Sequence, residues 1–165
     1  MRKWLFAVAA AALTAVGFAQ PAAADAPTTR SFTSTDMGVV TGVCAFPVNV
    51  TSTSTIRETV FTDQSGRTTR VQWHVVERDV FTANGKTLAG LPYTFNLRVL
   101  FNPQTGEVTH VYAAGVVSRV PLPGGDVFLT AGRADFTAHP GASFLLQPDV
   151  GAQGNVAGFC AALAP

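Results

Sequence analysis

From Tyr93 to Phe101 the side chains alternate. Tyr93, Phe95, Leu97, Val99 and Phe101 share one parity, Thr94, Asn96 and Arg98 share the other, and only Leu100 breaks the pattern. A period of two sends successive side chains to opposite faces of an extended chain, so this segment reads as a strand with one buried side. Val71, Trp73 and Val75 alternate with Arg70, Gln72 and His74 in the same way, and Val48 and Val50 continue the parity of Cys44 and Phe46. Where Val108, His110 and Tyr112 alternate with Thr109, Val111 and Ala113, both faces are fairly apolar.

Turn chemistry separates these runs at Asp63-Gln64-Ser65-Gly66, Asn84-Gly85, Asn102-Pro103-Gln104-Thr105-Gly106, Pro121-Leu122-Pro123-Gly124-Gly125 and His139-Pro140-Gly141. Asn84-Gly85 is the sharpest, because both residues tolerate the positive φ of a type I′ hairpin turn. No segment sustains a helical period, and helix is expected only in a short piece near Val156 to Leu163. Successive hairpins without long crossovers describe an all-β antiparallel meander of seven or eight strands. Such a sheet must hide its apolar face and its edges. A closed up-and-down barrel, lipocalin-like or cyclase-barrel-like, is the expected solution, with a β-sandwich as the alternative. Gly90-Leu91-Pro92 and Gly115 fall inside strand-like runs, where they permit the bends that closure requires.

The chain opens differently. Arg2 and Lys3 precede an uncharged run from Trp4 to Ala19, and Ala22-Ala23-Ala24 stands before Asp25. A basic start, an apolar run shorter than the ~20 residues of a membrane span and small residues at the exit make an export signal. Residues 1–24 are therefore read as a signal peptide cleaved after Ala24, with a cut after Ala19 as the alternative. Residues 25–36, rich in Ala, Pro, Thr and Ser, read as a flexible lead, and residues 37–165 as one β domain. Loss of Arg2 and Lys3 takes the formal net charge from +1 to −1 and leaves Lys86 as the one lysine. So neutral a chain gives no electrostatic reason to expect nucleic acid as a partner, and no membrane anchor is expected after cleavage. The expected location is outside the cell.

Cys44 and Cys160 are the only cysteines. In an exported small domain two cysteines most often pair, with two free thiols buried at either end as the alternative, and neither of these has a C-x-x-C or histidine-linked context that would make it a redox or nucleophilic thiol. A Cys44–Cys160 disulfide is expected, joining the last segment to the start of the sheet.

Residues with catalytic chemistry are scattered. His74, His110 and His139 lack the spacing of metal ligands. His139 reads as a turn residue and His74 as solvated. Ser118 and Ser143 lack a G-x-S-x-G elbow. Glu77-Arg78-Asp79 reads as a solvated charge cluster rather than a catalytic carboxylate pair. No catalytic residue, metal site or cofactor is assigned. The aromatic and imidazole groups that could line a barrel interior are Trp73, Tyr93, Phe95, His110 and Tyr112, the last two sharing a face.

Several short motifs occur in a fixed order: Cys44-Ala45-Phe46-Pro47, Gly66-Arg67, the Pro-Gly-Gly turn ending at Gly125, Gly132-Arg133 and Cys160-Ala161-Ala162-Leu163. In these the chain resembles a group of uncharacterised small secreted proteins of actinobacteria, over roughly Cys44 to Leu163. The resemblance implies a disulfide-closed β-barrel outside the cell and implies no activity. The functional expectation is a secreted soluble barrel holding a small apolar ligand. A barrel-type cyclase or isomerase using His110 or Tyr112, and a cell-envelope structural or interaction protein, are the alternatives. Oligomeric state is left open.

Overall fold

The computed structural model of this chain describes residues 26–138 and 150–165. The export signal, its cleavage after Ala24, the His139-Pro140-Gly141 turn and Ser143 lie outside those residues. Eight strands run in order: β1 (Thr28–Val40), β2 (Val48–Thr62), β3 (Thr68–Ala83), β4 (Lys86–Ala89), β5 (Tyr93–Phe101), β6 (Val108–Pro121), β7 (Val127–Asp135) and β8 (Val150–Ala152), followed by helix α1 (Val156–Leu163). All pairings are antiparallel, in the sheet order β1-β2-β3-β5-β6-β7-β8, and β4 sits beside β5 along the same edge of β3. The all-β antiparallel meander of eight strands is as expected, and α1 falls on the segment expected to be helical.

Closure into the expected barrel is not seen: no pairing joins β1 to β8 among the described residues, and the outer edge of β1 has no described partner strand. Another expectation needs correction. The stretch read as a flexible lead is strand β1 from Thr28 onward, paired with β2 residue for residue from Thr28↔Val60 to Val40↔Val48. Its side chains are almost all exposed, so selection for burial left no hydrophobic alternation to read. What holds β1 is the ladder itself and the β-branched preference of its threonines for extended backbone. Cys44 and Phe46, expected on the first strand, belong instead to the bent connection between β1 and β2, although both pack against the core.

The β3–β4 turn is built by Asn84 and Gly85, at φ 51° and 74°, as the type I′ reading requires. Just beyond β4, Gly90-Leu91-Pro92 interrupts the strand. The Gly90 N–H donates to Asp79 O at 2.7 Å and the Leu91 N–H to Arg119 O at 2.8 Å, so the break stays bonded on both sides. A Cβ at residue 90 would come within 2.9 Å of Asp79 O, which explains the glycine.

The core gathers at one end of the sheet. Val48 and Val50 of β2, Phe81 and Ala83 of β3, Leu88 of β4, Val120 of β6 and Phe128 of β7 are buried around Phe159 and Leu163 of α1. Phe159 and Leu163 are one turn apart and share a helix face. Phe159 packs edge-on to Phe81 at 5.1 Å and against Phe128 at 4.9 Å between ring centroids. An eight-residue helix is too short to persist alone. It is held by this packing, by the Asn155 cap accepting from Gly158 N at 2.8 Å, and by the Cys44–Cys160 disulfide. Asn84 adds a tie, donating from Nδ2 to Leu163 O at 2.9 Å. Replacing Asn84 with Ala removes that bond and puts a Cβ-bearing residue with no side-chain carbonyl at positive φ, so urea unfolding should show a loss of about 1–2 kcal/mol.

Candidate ligand-binding site

The register fixes which side chains share a face. Glu58 of β2 lies opposite Trp73 of β3, and Trp73 opposite Leu97 of β5. Val60, Val71 and Val99 form the next inner row. This inner face is sealed by α1 at one end, while at the other most of its residues, Glu58 excepted, are only half-buried. There the β2–β3 and β5–β6 turns enclose a cleft of about 630 Å³. Val60, Val71, Phe101 and Pro103 give it apolar walls, and Glu58, Arg67, Thr68, Gln104 and Thr105 its polar groups.

Both turns are rigid by construction. Asp63 Oδ1 accepts from the N–H groups of Ser65 at 2.8 Å and Arg67 at 3.0 Å, while Asn102 Oδ1 accepts from Gln104 at 2.9 Å and Thr105 at 3.3 Å. A short polar side chain that caps the turn it opens holds both walls of the cleft without help from packing.

Two charges stand at this cleft in different states. Glu58 is buried, receiving the Arg30 Nε–H at 2.6 Å and the Trp73 indole N–H at 2.7 Å. The Arg30 bond, followed by that from Trp73, holds its carboxyl below the ordinary range. Both oxygens are therefore occupied. The Arg67 side chain is exposed and makes no hydrogen bond or ion pair within the described residues, so its guanidinium is available to a ligand.

None of the five residues expected to line a barrel interior is among those lining the cleft; Trp73 reaches it through Glu58. Tyr93 and Phe95 share the inner face with Trp73, but Tyr93 is buried beside Phe95, at 6.2 Å between ring centroids. His110 and Tyr112 stand on the other face, since Tyr112 pairs with Arg98 and His110 with Leu100. His110 Nε2 lies 3.2 Å from Asp135 Oδ2, and Arg98 donates to the Tyr112 hydroxyl at 3.0 Å. The sheet thus divides the five, and a cyclase or isomerase worked by His110 or Tyr112 would have to use a different surface from this cleft.

Further along the inner face lies a polar cluster. Glu77 and Asp79 were read as part of a solvated run, and this is a correction: Asp79 is fully buried and Glu77 half-buried. The Tyr93 hydroxyl lies 2.5 Å from Glu77 Oε1 and 2.6 Å from Asp79 Oδ2. Ser52 donates to Asp79 at 2.5 Å and Ser54 to Glu77. The Tyr93 hydroxyl proton is shared between the two carboxyls, and burial raises the Asp79 pKa. Burial and these two carboxylates push the Tyr93 pKa far upward, so the phenol stays protonated.

The sign of this cluster was present in the sequence. Glu77 and Asp79 continue the parity of Val71, Trp73 and Val75, which already pointed inward. Glu58 and Arg67 carried no such signal, because the cleft depends on two hairpins brought side by side.

Comparison with protein-family models, with curated proteins and with solved structures finds no match for this chain.

Proposed function

We propose that this is a secreted protein that binds one small amphipathic molecule in the cleft between the β2–β3 and β5–β6 turns. The observation that carries the reading is the juxtaposition of apolar walls, Val60, Val71 and Phe101, with the uncommitted Arg67 guanidinium. A cleft of a few hundred Å³ that sets an apolar wall beside convergent polar groups is of a size and character to take a small amphipathic ligand. Since Glu58 is already satisfied by Arg30 and Trp73, the ligand's polar end is an anion or a strong acceptor directed at Arg67. Export rests on the basic start and apolar run of residues 2–19, and a disulfide between Cys44 and Cys160 fits an oxidising compartment.

Once residues 1–24 are removed, Trp73 is the single tryptophan. It reports on the cleft through its bond to Glu58. Titration with anilinonaphthalene sulfonate, an apolar body with an anionic end, should quench Trp73 with one-to-one stoichiometry. Arg67→Gln and Phe101→Ser should each weaken binding by about tenfold, the cost of one charged or one apolar contact. No quenching, or quenching untouched by both substitutions, would overturn the proposal. Native mass spectrometry of protein purified from culture medium then tests for a bound natural ligand as a discrete added mass.

A further inference from the structure

The sheet separates its charges. Among the described strand residues, the inner face carries Asp36, Glu58, Glu77 and Asp79, with Arg30 and, at the β3–β4 turn, Lys86 as its cations. On the outer face stand Arg57, Arg70, Arg78, Arg98, Arg119 and Arg133, and among the described strand residues Asp135 is the only carboxylate there. A chain whose charges nearly cancel in sum therefore presents one strongly cationic surface.

Four of these arginines form a compact field with two histidines. One row crosses the sheet as Arg57, His74, Asn96, Ala114 and Arg133, each paired with the next. At ~4.8 Å per strand this row spans about 19 Å. The neighbouring rows add Arg98 beside Tyr112 and Arg70 beside Leu100 and His110. Three of the guanidiniums are held by rings. Arg70 stacks on Phe61 at 3.7 Å, and Arg98 and Arg133 lie over Tyr112 at 5.7 and 5.5 Å. Stacking fixes a guanidinium while leaving donors at its edge free. Arg57 is exposed and makes no ion pair within the described residues. Asp135 offsets part of the field: its carboxylate lies beside His110, is favoured in its charged form partly by Arg133, and accepts from the N–H groups of Thr137 and Ala138, so it stands as one negative charge against four arginines.

We infer that this outer face of β2, β3, β5, β6 and β7 binds a linear polyanion bearing phosphate or sulfate groups. Arginines spread over about 19 Å, three of them held by rings, match several oxyanions along one polymer, and Arg takes such groups with paired N–H bonds. A nucleic acid fits less well. Sequence-tolerant binding of single strands uses free aromatic faces, whereas the Tyr112 and Phe61 rings are already occupied by guanidiniums. The site is on the opposite face from the cleft residues Glu58, Val60 and Val71, so the two proposals stand or fall separately.

The test uses the mature disulfide-bonded protein with inorganic polyphosphate, heparin and a single-stranded oligonucleotide matched in charge. Binding to polyphosphate, heparin or both is expected, with log affinity falling against log salt at a slope of roughly −2 to −4, as about three to five neutralised charges give. Preference between the two polymers identifies phosphate or sulfate as the natural group. The triple variant Arg57→Gln, Arg98→Gln, Arg133→Gln should lose about tenfold or more in affinity and flatten the slope. Its Trp73 emission and cleft binding should be unchanged, which excludes misfolding as the cause. Absence of binding to both polymers at low salt, affinity unaffected in the triple variant, or tighter binding of the oligonucleotide would each overturn the inference.

Discussion

Removing the Cys44–Cys160 bond should lower stability by up to about 5 kcal/mol, the chain-entropy ceiling for a cross-link spanning 116 residues. That is a large share of the 5–15 kcal/mol that holds an ordinary domain together. The expected route of the loss is specific. Without the bond, α1 is attached to the sheet by the packing of Phe159 and Leu163 with Val156 and Ala162, by the Asn84 tie and by the bond from its cap Asn155 to Asp126. Eight residues lack the length to remain helical if that packing opens. The residues α1 covers, Phe81, Leu88, Val120 and Phe128, would then meet water. Urea unfolding of the oxidised protein, of the protein under reductant and of the double variant Cys44→Ala, Cys160→Ala should give a high midpoint and two similar low ones. Equal midpoints for all three would show that packing alone seats the helix.

Tyr93→Phe should cost about 2–4 kcal/mol near neutral pH, the penalty for leaving buried, partly charged oxygens unsatisfied. The lost hydroxyl donates to both Glu77 and Asp79, so the variant leaves two carboxyls without their shared donor. The same cluster sets a direction for the pH dependence. Folding raises the Asp79 pKa, chiefly through burial, so the folded protein keeps a proton that the unfolded chain releases as pH climbs past the ordinary carboxylate range. Stability from this group is complete below that range and is lost as pH rises through the elevated value. Glu58 acts in the opposite sense. Its pKa is depressed by Arg30 and Trp73, so its contribution is present above the ordinary range and fades as pH falls. The profile should therefore peak at mildly acidic pH. Asp79→Asn, which keeps a carbonyl acceptor in the cluster and cannot ionise, should remove the alkaline decline and leave the acid one. Urea midpoints from about pH 5 to about pH 8 decide the matter, and an undiminished alkaline decline in Asp79→Asn would exclude this origin.

Much of the strand plan could be read from the residues because burial writes a period of two. The runs around Trp73, Phe95 and Val50 each have one wet face, and Asn84-Gly85 names its own turn. Strand β1 escaped because a ladder of exposed Thr and Ser is specified by backbone pairing, which leaves no apolar pattern. Closure was expected because a meander must deal with its edges, yet that requirement does not say how the edges are dealt with. The Cys44–Cys160 pairing followed from composition alone. The polar cluster was within reach by extending one parity by two residues, but Arg78 between Glu77 and Asp79 made the triplet look like surface. The cleft and the outer arginine field were out of reach for another reason. Both are assembled from residues far apart in sequence, and a net charge near zero conceals a face on which nearly all the charge has one sign.

The hairpins of this sheet join segments that follow one another along the chain, and α1 is the element that reaches back across it. Such a topology sets an order of events. Local pairings can form as the polypeptide emerges, since closing short loops costs little entropy. The core end cannot be completed until the final ten residues arrive with Phe159, Cys160 and Leu163. A chain threaded through a membrane from its N-terminus would thus remain an uncapped, translocatable ribbon for most of its passage. It would become a locked domain only once α1 has followed the sheet, with the joining of Cys160 to Cys44 as the closing step.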